Sequence, residues 1–156
     1  MCIRDSVEIE EDLLTWVNLV SGTIHGLELQ AVYLAGEHWR VQGSAHFLRG
    51  RDPAGAPLAD IPPREIRLGV RREAGPWRVE ARLAHRDAKN DPGSGEKSIG
   101  SAQLLSASLG YAFSPAWRIV VGGNNLLDEE YFPAADRKAP LAPGRSFSLR
   151  LAWAGS

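Results

Sequence analysis

The stretch Gly144-Arg145-Ser146-Phe147-Ser148-Leu149-Arg150-Leu151-Ala152-Trp153 decides how this chain folds. Phe147, Leu149, Leu151 and Trp153 alternate with Ser146, Ser148, Arg150 and Ala152. Successive side chains of an extended chain point to opposite faces, so this pattern is a strand with one apolar and one polar face. The same period of two recurs towards the N-terminus. Leu27, Leu29, Ala31 and Tyr33 oppose Glu28 and Gln30 in a strand expected over about residues 23–35, with a start as early as Trp16. Trp39, Val41, Gly43, Ala45 and Phe47 oppose Arg40, Gln42, Ser44 and His46. Ile66, Leu68 and Val70 oppose Glu65, Arg67 and Arg71 over residues 64–72, and Trp77, Val79, Ala81 and Leu83 oppose Arg78, Glu80, Arg82 and Arg86. Leu105, Ala107, Leu109, Tyr111 and Phe113 oppose Ser106, Ser108 and Gly110, and Trp117, Ile119 and Val121 oppose Arg118, Gly122 and Asn124. With the closing segment, the expectation is about seven strands and an all-β chain. One short helix-like alternative lies around Ile9 to Leu19.

Read this way, none of the apolar faces carries a charge, while five of the seven opposite faces carry arginine. A solvated sandwich face would use lysine and glutamate freely; arginine, serine, glutamine and small residues suit a crowded aqueous lumen. The connections alternate in length. Gly36-Glu37-His38, Glu73-Ala74-Gly75-Pro76 and Ser114-Pro115-Ala116 are short, whereas Gly50 to Pro63, Asp87 to Ala102 and Leu127 to Pro143 are long and rich in Gly and Pro. Tight turns at one rim and extended loops at the other is the pattern of an outer-membrane barrel. Tyr33, Trp39, Trp77, Tyr111, Phe113, Trp117 and Trp153 all fall on apolar faces beside short turns or at the last strand's end, as an interfacial aromatic girdle requires. A soluble β-sandwich with these aromatics in its core is the competing architecture.

Composition narrows the function. The 156 residues suffice for one domain with a core, and a formal charge of −1 with a pI near 6.4 gives no basic excess for nucleic acid. Cys2 is the single cysteine, so the chain has neither an internal disulfide nor a cysteine-rich metal site. No apolar run reaches the length of a membrane helix, which leaves membrane strands open. Met1 to Ser6 is short, mixed and charged rather than a signal peptide, so residues 1–15 are read as uninformative or non-native, and truncation of an exported protein is the simplest account.

Several motifs resemble the TonB-dependent outer-membrane receptors, siderophore receptors among them. Val17-Asn18 with Gly26-Leu27-Glu28-Leu29 looks like the "N…GvEle" opening of a late barrel strand. Leu58-Ala59-Asp60-Ile61-Pro62-Pro63-Arg64 with Leu68-Gly69 resembles an "l…iPp" passage from loop to strand. Asn125, Leu126, Asp128 and Tyr131 fit "NLfDkxY", and Gly144, Arg145 and Phe147 fit the "GRxfxl" start of the closing strand. The resemblance runs from Val17 to Trp153 and implies that residues 16–153 are the C-terminal part of a 22-stranded antiparallel transmembrane β-barrel, with 154–156 a tail. The family ends on an aromatic residue; here Ala154-Gly155-Ser156 follow Trp153.

What the resemblance implies further is a receptor in the outer membrane of a Gram-negative bacterium, importing a ferric siderophore or similar metal chelate. A plug domain of the same protein, the TonB complex, outer-membrane lipid and the chelate would be its partners, with no nucleic acid and no cofactor. The lumen faces then supply candidates. His46, Arg67 and Arg86 fall in the extracellular half of the lumen, where guanidinium would attract anionic chelates. Arg51, Asp52, Lys89, Asn90 and Lys97 are expected to be exposed on the long loops and to contact ligand. Arg40, Arg71, Arg78, Arg118 and Arg150 lie nearer the periplasm and are expected to pair with carboxylates such as Glu28 and Glu80.

A catalytic reading finds little. His25, His38, His46 and His85 are scattered without metal-ligand spacing, and Ser44 with His46 lacks a nucleophile elbow. Asp128, Glu129 and Glu130 read as a solvated loop before they read as a cation site. Gly122 and Gly123 lie within a strand and precede no helix, so they do not cradle phosphate. A stand-alone small barrel, acting as a binding module or hydrolase, and a soluble β-sandwich binding domain are the alternatives.

Overall fold

The computed structural model describes residues 5–10, 13–18 and 21–154. Two short strands, β1 (Asp5–Glu10) and β2 (Leu13–Asn18), pair antiparallel as a separate two-stranded sheet. The described residues of the helix-like stretch from Ile9 to Leu19 therefore lie on strands. Trp16 belongs to β2 and not to the first strand of the main sheet. Met1 to Arg4, part of the uninformative start, fall outside the described residues, as do Gly155 and Ser156 of the tail.

The main sheet holds the seven strands expected from the alternation: β3 (Thr23–Ala35), β4 (Trp39–Arg51), β5 (Glu65–Ala74), β6 (Trp77–Arg86), β7 (Ala102–Ala112), β8 (Trp117–Asn124) and β9 (Ser146–Trp153). They hydrogen-bond in chain order, each antiparallel to the next, so the sheet is a simple meander. The short turns use glycine where geometry demands it. Gly75 is the first residue of the two-residue link between Ala74 and Trp77 and has φ of +56°, which primed hairpin turns need and which only glycine adopts freely.

Register puts every expected apolar face on one side. Leu29 pairs with Ala45, Ala45 with Ile66, Ile66 with His85, Val79 with Leu109 and Val121 with Leu149. A soluble sheet would bury this side beneath a second layer. Here Leu29, Leu68, Val79, Phe147 and Leu149 are open, Leu149 at 72 %. The buried apolar residues among those described are Ile99, Ala102 and Ala135, all in or beside the loops. No second layer covers the sheet among the described residues.

The face is not free of charge throughout, as the alternation alone had it. Arg72 continues the row of Ile66, Leu68 and Val70, and its guanidinium lies 5.5 Å from the Trp39 ring. Arg49 continues the row of Val41 and Phe47, and its guanidinium lies 5.6 Å from the Phe47 ring. Both stand at rims, where a long stem lies along apolar surface and its head reaches water. From Trp39 to Arg49 the strand advances ten steps (49 − 39). That is about 33 Å along the strand, or about 25 Å across a layer at the usual barrel tilt. Within this span the charges on the face stand only at its two ends, and its height is that of the apolar band of an outer-membrane barrel.

The seven aromatic residues of the expected girdle gather at the short-turn rim of this face, while Phe47 and Phe147 stand at the other. Trp77 and Tyr111 are register partners with ring centroids 4.5 Å apart, Phe113 and Trp117 lie 6.4 Å apart, and Trp117 and Trp153 again 6.4 Å. Trp39 and Tyr33 extend the line to β4 and β3.

Candidate functional site

At the opposite rim three long connections form a roof: residues 52–64, 87–101 and 125–145. Its centre is an ion pair in which Lys89 Nζ lies 2.5 Å from Glu96 Oε2, both side chains 6 % exposed. Lys89 also donates to the carbonyl of Ile61 at 2.8 Å, while Glu96 accepts from the N–H of Asp60 at 2.9 Å and of Gly93 at 2.7 Å. Burial pushes the Glu96 carboxyl up, but the Lys89 ammonium and these two N–H groups outweigh it and hold the group below the usual carboxylate range. One charged pair therefore ties the first loop to the second. Gly93 permits the approach, since a Cβ there would sit 2.4 Å from the Ala59 nitrogen.

The third loop is fastened by cations and backbone. Lys97 N–H donates to Ala135 O at 2.7 Å, Lys97 Nζ to Ala139 O at 3.2 Å, and the ammonium stands 3.4 Å from the centre of the Phe132 ring. Arg137 donates to Glu96 O at 3.3 Å. Arg86, at the end of β6 and buried, donates to the carbonyls of Phe132 and Pro133 and lies 5.2 Å from the Tyr131 ring. Lys89, read from sequence as exposed, is 5 % exposed, and Lys97 is half-buried. The reason is that three Gly- and Pro-rich segments have few side chains to bury, so their carbonyls and one carboxylate oxygen of Glu96 take the cations instead. Asn90 and Arg51 are exposed as expected, and Asp52 is half-buried. Arg51 donates to Gly55 O at 2.5 Å and Asp52 accepts from Ala56 N at 2.8 Å, so both shape the tip of their own loop.

The motif residues build the approach to the last strand. Asn125 is buried at a φ of +49°, which asparagine tolerates; its Nδ2 donates to Glu129 O and Pro143 O, and its Oδ1 accepts from Glu129 N. Asp128, at φ +58°, accepts from Arg145 N at 2.9 Å and has the Arg145 guanidinium 3.4 Å away. Gly144 lies against it, with room for a Cβ only 3.2 Å from Asp128 Oδ1. Leu126 N–H bonds Leu105 O, and Tyr131 O accepts from Ala142 N. The spacing of asparagine, aspartate and glycine-arginine is that of a loop whose two ends must be clasped beside β8 and β9. Phe147, the next residue of the motif, turns to the open apolar face.

Beneath the roof, the polar face of the sheet carries the row Glu28–His46–Glu65–Arg86 across β3 to β6, each residue the register partner of the next. Glu28, His46, Glu65 and Arg67 line a cleft of about 440 Å³ whose ceiling includes Asp60, Glu96 and Pro133. Arg67 pairs with Glu65 on its own strand. Lower down, Arg71 pairs with Glu80 at 3.1 Å and Arg78 with Glu73 at 2.8 Å, and Arg82 also reaches Glu80. Arg40, Arg118 and Arg150 make no ion pair among the described residues. No group of histidine, cysteine and carboxylate ligands able to hold a metal occurs among the described residues, Asp128 to Glu130 included.

A sheet with a bare apolar outside, a charged inside and a roof of long loops is the wall of a membrane barrel. The sequence agrees: the model of the family described as TonB dependent receptor-like, beta-barrel, matches residues 4–126. The chain belongs to the TonB-dependent receptor β-barrel family. Among solved structures it is similar to the copper transporter OprC, with a TM-score of 0.85 and 21 % identity over 98 % of this chain and 27 % of that one. P. aeruginosa FpvA bound to heterologous pyoverdines gives a TM-score of 0.75 and 14 % identity over 97 % of this chain and 23 % of that one. The FpvAI–pyocin S2 complex gives the same values. At these identities the likeness is one of fold, and the chain spans about a quarter of the length of the structures it matches. No curated protein matches it by sequence. The family is one of receptors and transporters, and the family match and the fold both support the all-β barrel read from the alternation and are consistent with the fragment that the resemblance implied.

Proposed function

We propose that residues 16–153 form the C-terminal part of the barrel wall of an outer-membrane receptor of a Gram-negative bacterium, which takes up a ferric siderophore or similar metal chelate. The observation that carries this reading is the pairing of the charge-free outer band with a polar cleft under a fastened roof. A polar cleft on the inner side of a lipid-facing wall gives a ligand a solvated surface to meet. In this reading His46 and Arg67, with Glu28 and Glu65, face the ligand from the wall. Arg51 and Asp52 shape the tip of the first loop, while Arg86, Lys89 and Lys97 fix the roof's shape. Tyr33, Trp39, Trp77, Tyr111, Phe113, Trp117 and Trp153 are its periplasmic interface girdle. A plug domain of the same receptor fills the lumen, and the TonB complex drives transport through it. The chelate class draws support from the neighbours' printed ligands, copper for one and pyoverdine for another.

The test is uptake of labelled ferric chelates and of copper by iron-limited cells that carry or lack the intact gene, with and without a working TonB complex. Uptake that needs both the gene and TonB is expected for one chelate of the panel. Growth and uptake indifferent to the gene would overturn the reading.

A further inference from the structure

The outer face carries a second charged feature, on the lipid side of the wall and apart from the lumen. At the long-loop rim the guanidinium groups of Arg49 and Arg64 lie 5.6 and 5.3 Å from the ring centre of the same residue, Phe47. Both project from the apolar face, beside His25, the register partner of Arg49. Arg64 is 59 % exposed and ion-pairs with Asp87 at 2.7 Å; Asp87 in turn lies 3.2 Å from His85 Nε2. Arg49 has no ion pair among the described residues. Above them a cleft of about 160 Å³ opens under the first loop, lined by Phe47, Arg49, Arg51, Arg64, Asp87 and Asp91 together with loop prolines and aliphatic groups. Lys89 also borders it, but its ammonium is turned to Glu96 and Ile61.

The position matters as much as the charge. Directly below Phe47 the same face runs through Ala45, Gly43 and Val41 without a charge until Arg72 at the far rim. A guanidinium pair at the top of an apolar band meets the depth at which headgroup phosphates lie, with acyl chains against the band beneath. Three arginines against Asp87 and Asp91 leave the cleft cationic. Guanidinium groups bind phosphate oxygens bidentately, and basic pockets at a membrane rim bind anionic headgroups. The Phe47 ring holds both stems in one place, which lowers the entropy lost when they engage a ligand.

We infer that Arg49 and Arg64, with Arg51 at the edge of the cleft, form a binding site on the outside of the wall for the phosphate of a membrane lipid headgroup. This rests on the reading of the apolar face as lipid-facing. The experiment uses the intact receptor purified in a neutral detergent, with lipid retention measured by native mass spectrometry. The probes are phosphatidylglycerol, a doubly phosphorylated glycolipid, phosphatidylcholine and inorganic phosphate. Each arginine at an anionic membrane surface is worth about fivefold in binding. The double variant R49A/R64A is therefore expected to lose retention of the two anionic lipids by about twenty-fivefold. R49K/R64K restores part of it, and Arg150→Ala, a lumen arginine without an ion pair, leaves it unchanged. Heat-resistant migration of the folded barrel is read on the same samples, so a folding defect is visible as such. Equal retention by R49A/R64A and the parent overturns the inference, as does inorganic phosphate competing at the lipid's own concentration, which would mark a free-anion site. Failure of the parent to enter detergent micelles or bilayers at all would instead overturn the membrane reading beneath it.

Discussion

In the sheet the side chains that matter are the ones left in the open, whereas in the roof they are the ones hidden. Leu29, Leu149 and Trp153 form a wall because nothing among the described residues covers them. Lys89, Glu96, Arg86 and Asn125 form a lid because almost no water reaches them. The usual assignment of apolar residues to the inside and charged ones to the outside is thus inverted over both regions. For the sheet the inversion follows from a lipid solvent. For the roof it follows from loops too poor in large apolar groups to close by packing, which close by charge and backbone hydrogen bonds.

The largest effect expected from breaking this contrast lies in the roof. Removing one partner of a buried ion pair leaves the other uncompensated, so Glu96→Ala should cost about 3–5 kcal/mol of local stability. Hydrogen exchange would show it as faster exchange in residues 52–64 and 87–101, with the amides of β4 to β8 unchanged. Exchange rising equally in the sheet would mean that roof and wall form one cooperative unit. Next comes the sheet's own break: Leu149→Arg, in the middle of the apolar band, should cost about 2–4 kcal/mol, and Ser148→Arg, on the opposite face, much less. Denaturant titration of the barrel in lipid would rank them, and equal costs would sink the face assignment.

Smaller still is Gly93→Ala. Its Cβ would meet backbone atoms of Ala59 at 2.4 and 2.6 Å, so the first and second loops must part at a cost of about 1–3 kcal/mol. Gly100→Ala, with open space around it, should be nearly silent in the same thermal melt. The mildest perturbation is acid. The Glu96 carboxyl is held below its usual range in the fold, so its contribution is present above the ordinary glutamate value of about 4.5 and is lost as pH falls below it towards the folded value. Protease cleavage in residues 87–101 should rise over that acid interval and stay flat between neutral pH and about pH 5. A roof that loosens on raising the pH instead would contradict the sign.

The wall was legible because a membrane strand writes its two solvents into alternate positions. The seven strands, the faces of Trp39, Trp77 and Leu149, and the two kinds of connection all follow from period two. Arg72 and Arg49 escaped that reading because a rim residue obeys the alternation of the strand and the chemistry of the interface at once. The roof was not legible. Lys89 and Glu96 sit seven apart in a stretch without periodicity, and their contacts with Asp60 and Ile61 are fixed by backbone groups that no side-chain pattern records. Asn125 and Asp128 lie between these cases: the motif marked them, but only the left-handed backbone and the clasp to Pro143 and Arg145 give the reason.

The central claim, that one face of this sheet meets lipid and the other water, is tested most directly by spin labels along β9. Single cysteines at positions 147 to 151, in the intact receptor with Cys2 replaced by serine, would be scanned for collision with oxygen and with a water-soluble nickel chelate in bilayers. Labels at Phe147, Leu149 and Leu151 should favour oxygen, and those at Ser148 and Arg150 the nickel chelate, giving a period of two. Uniform accessibility to the nickel chelate along all five positions would contradict the account.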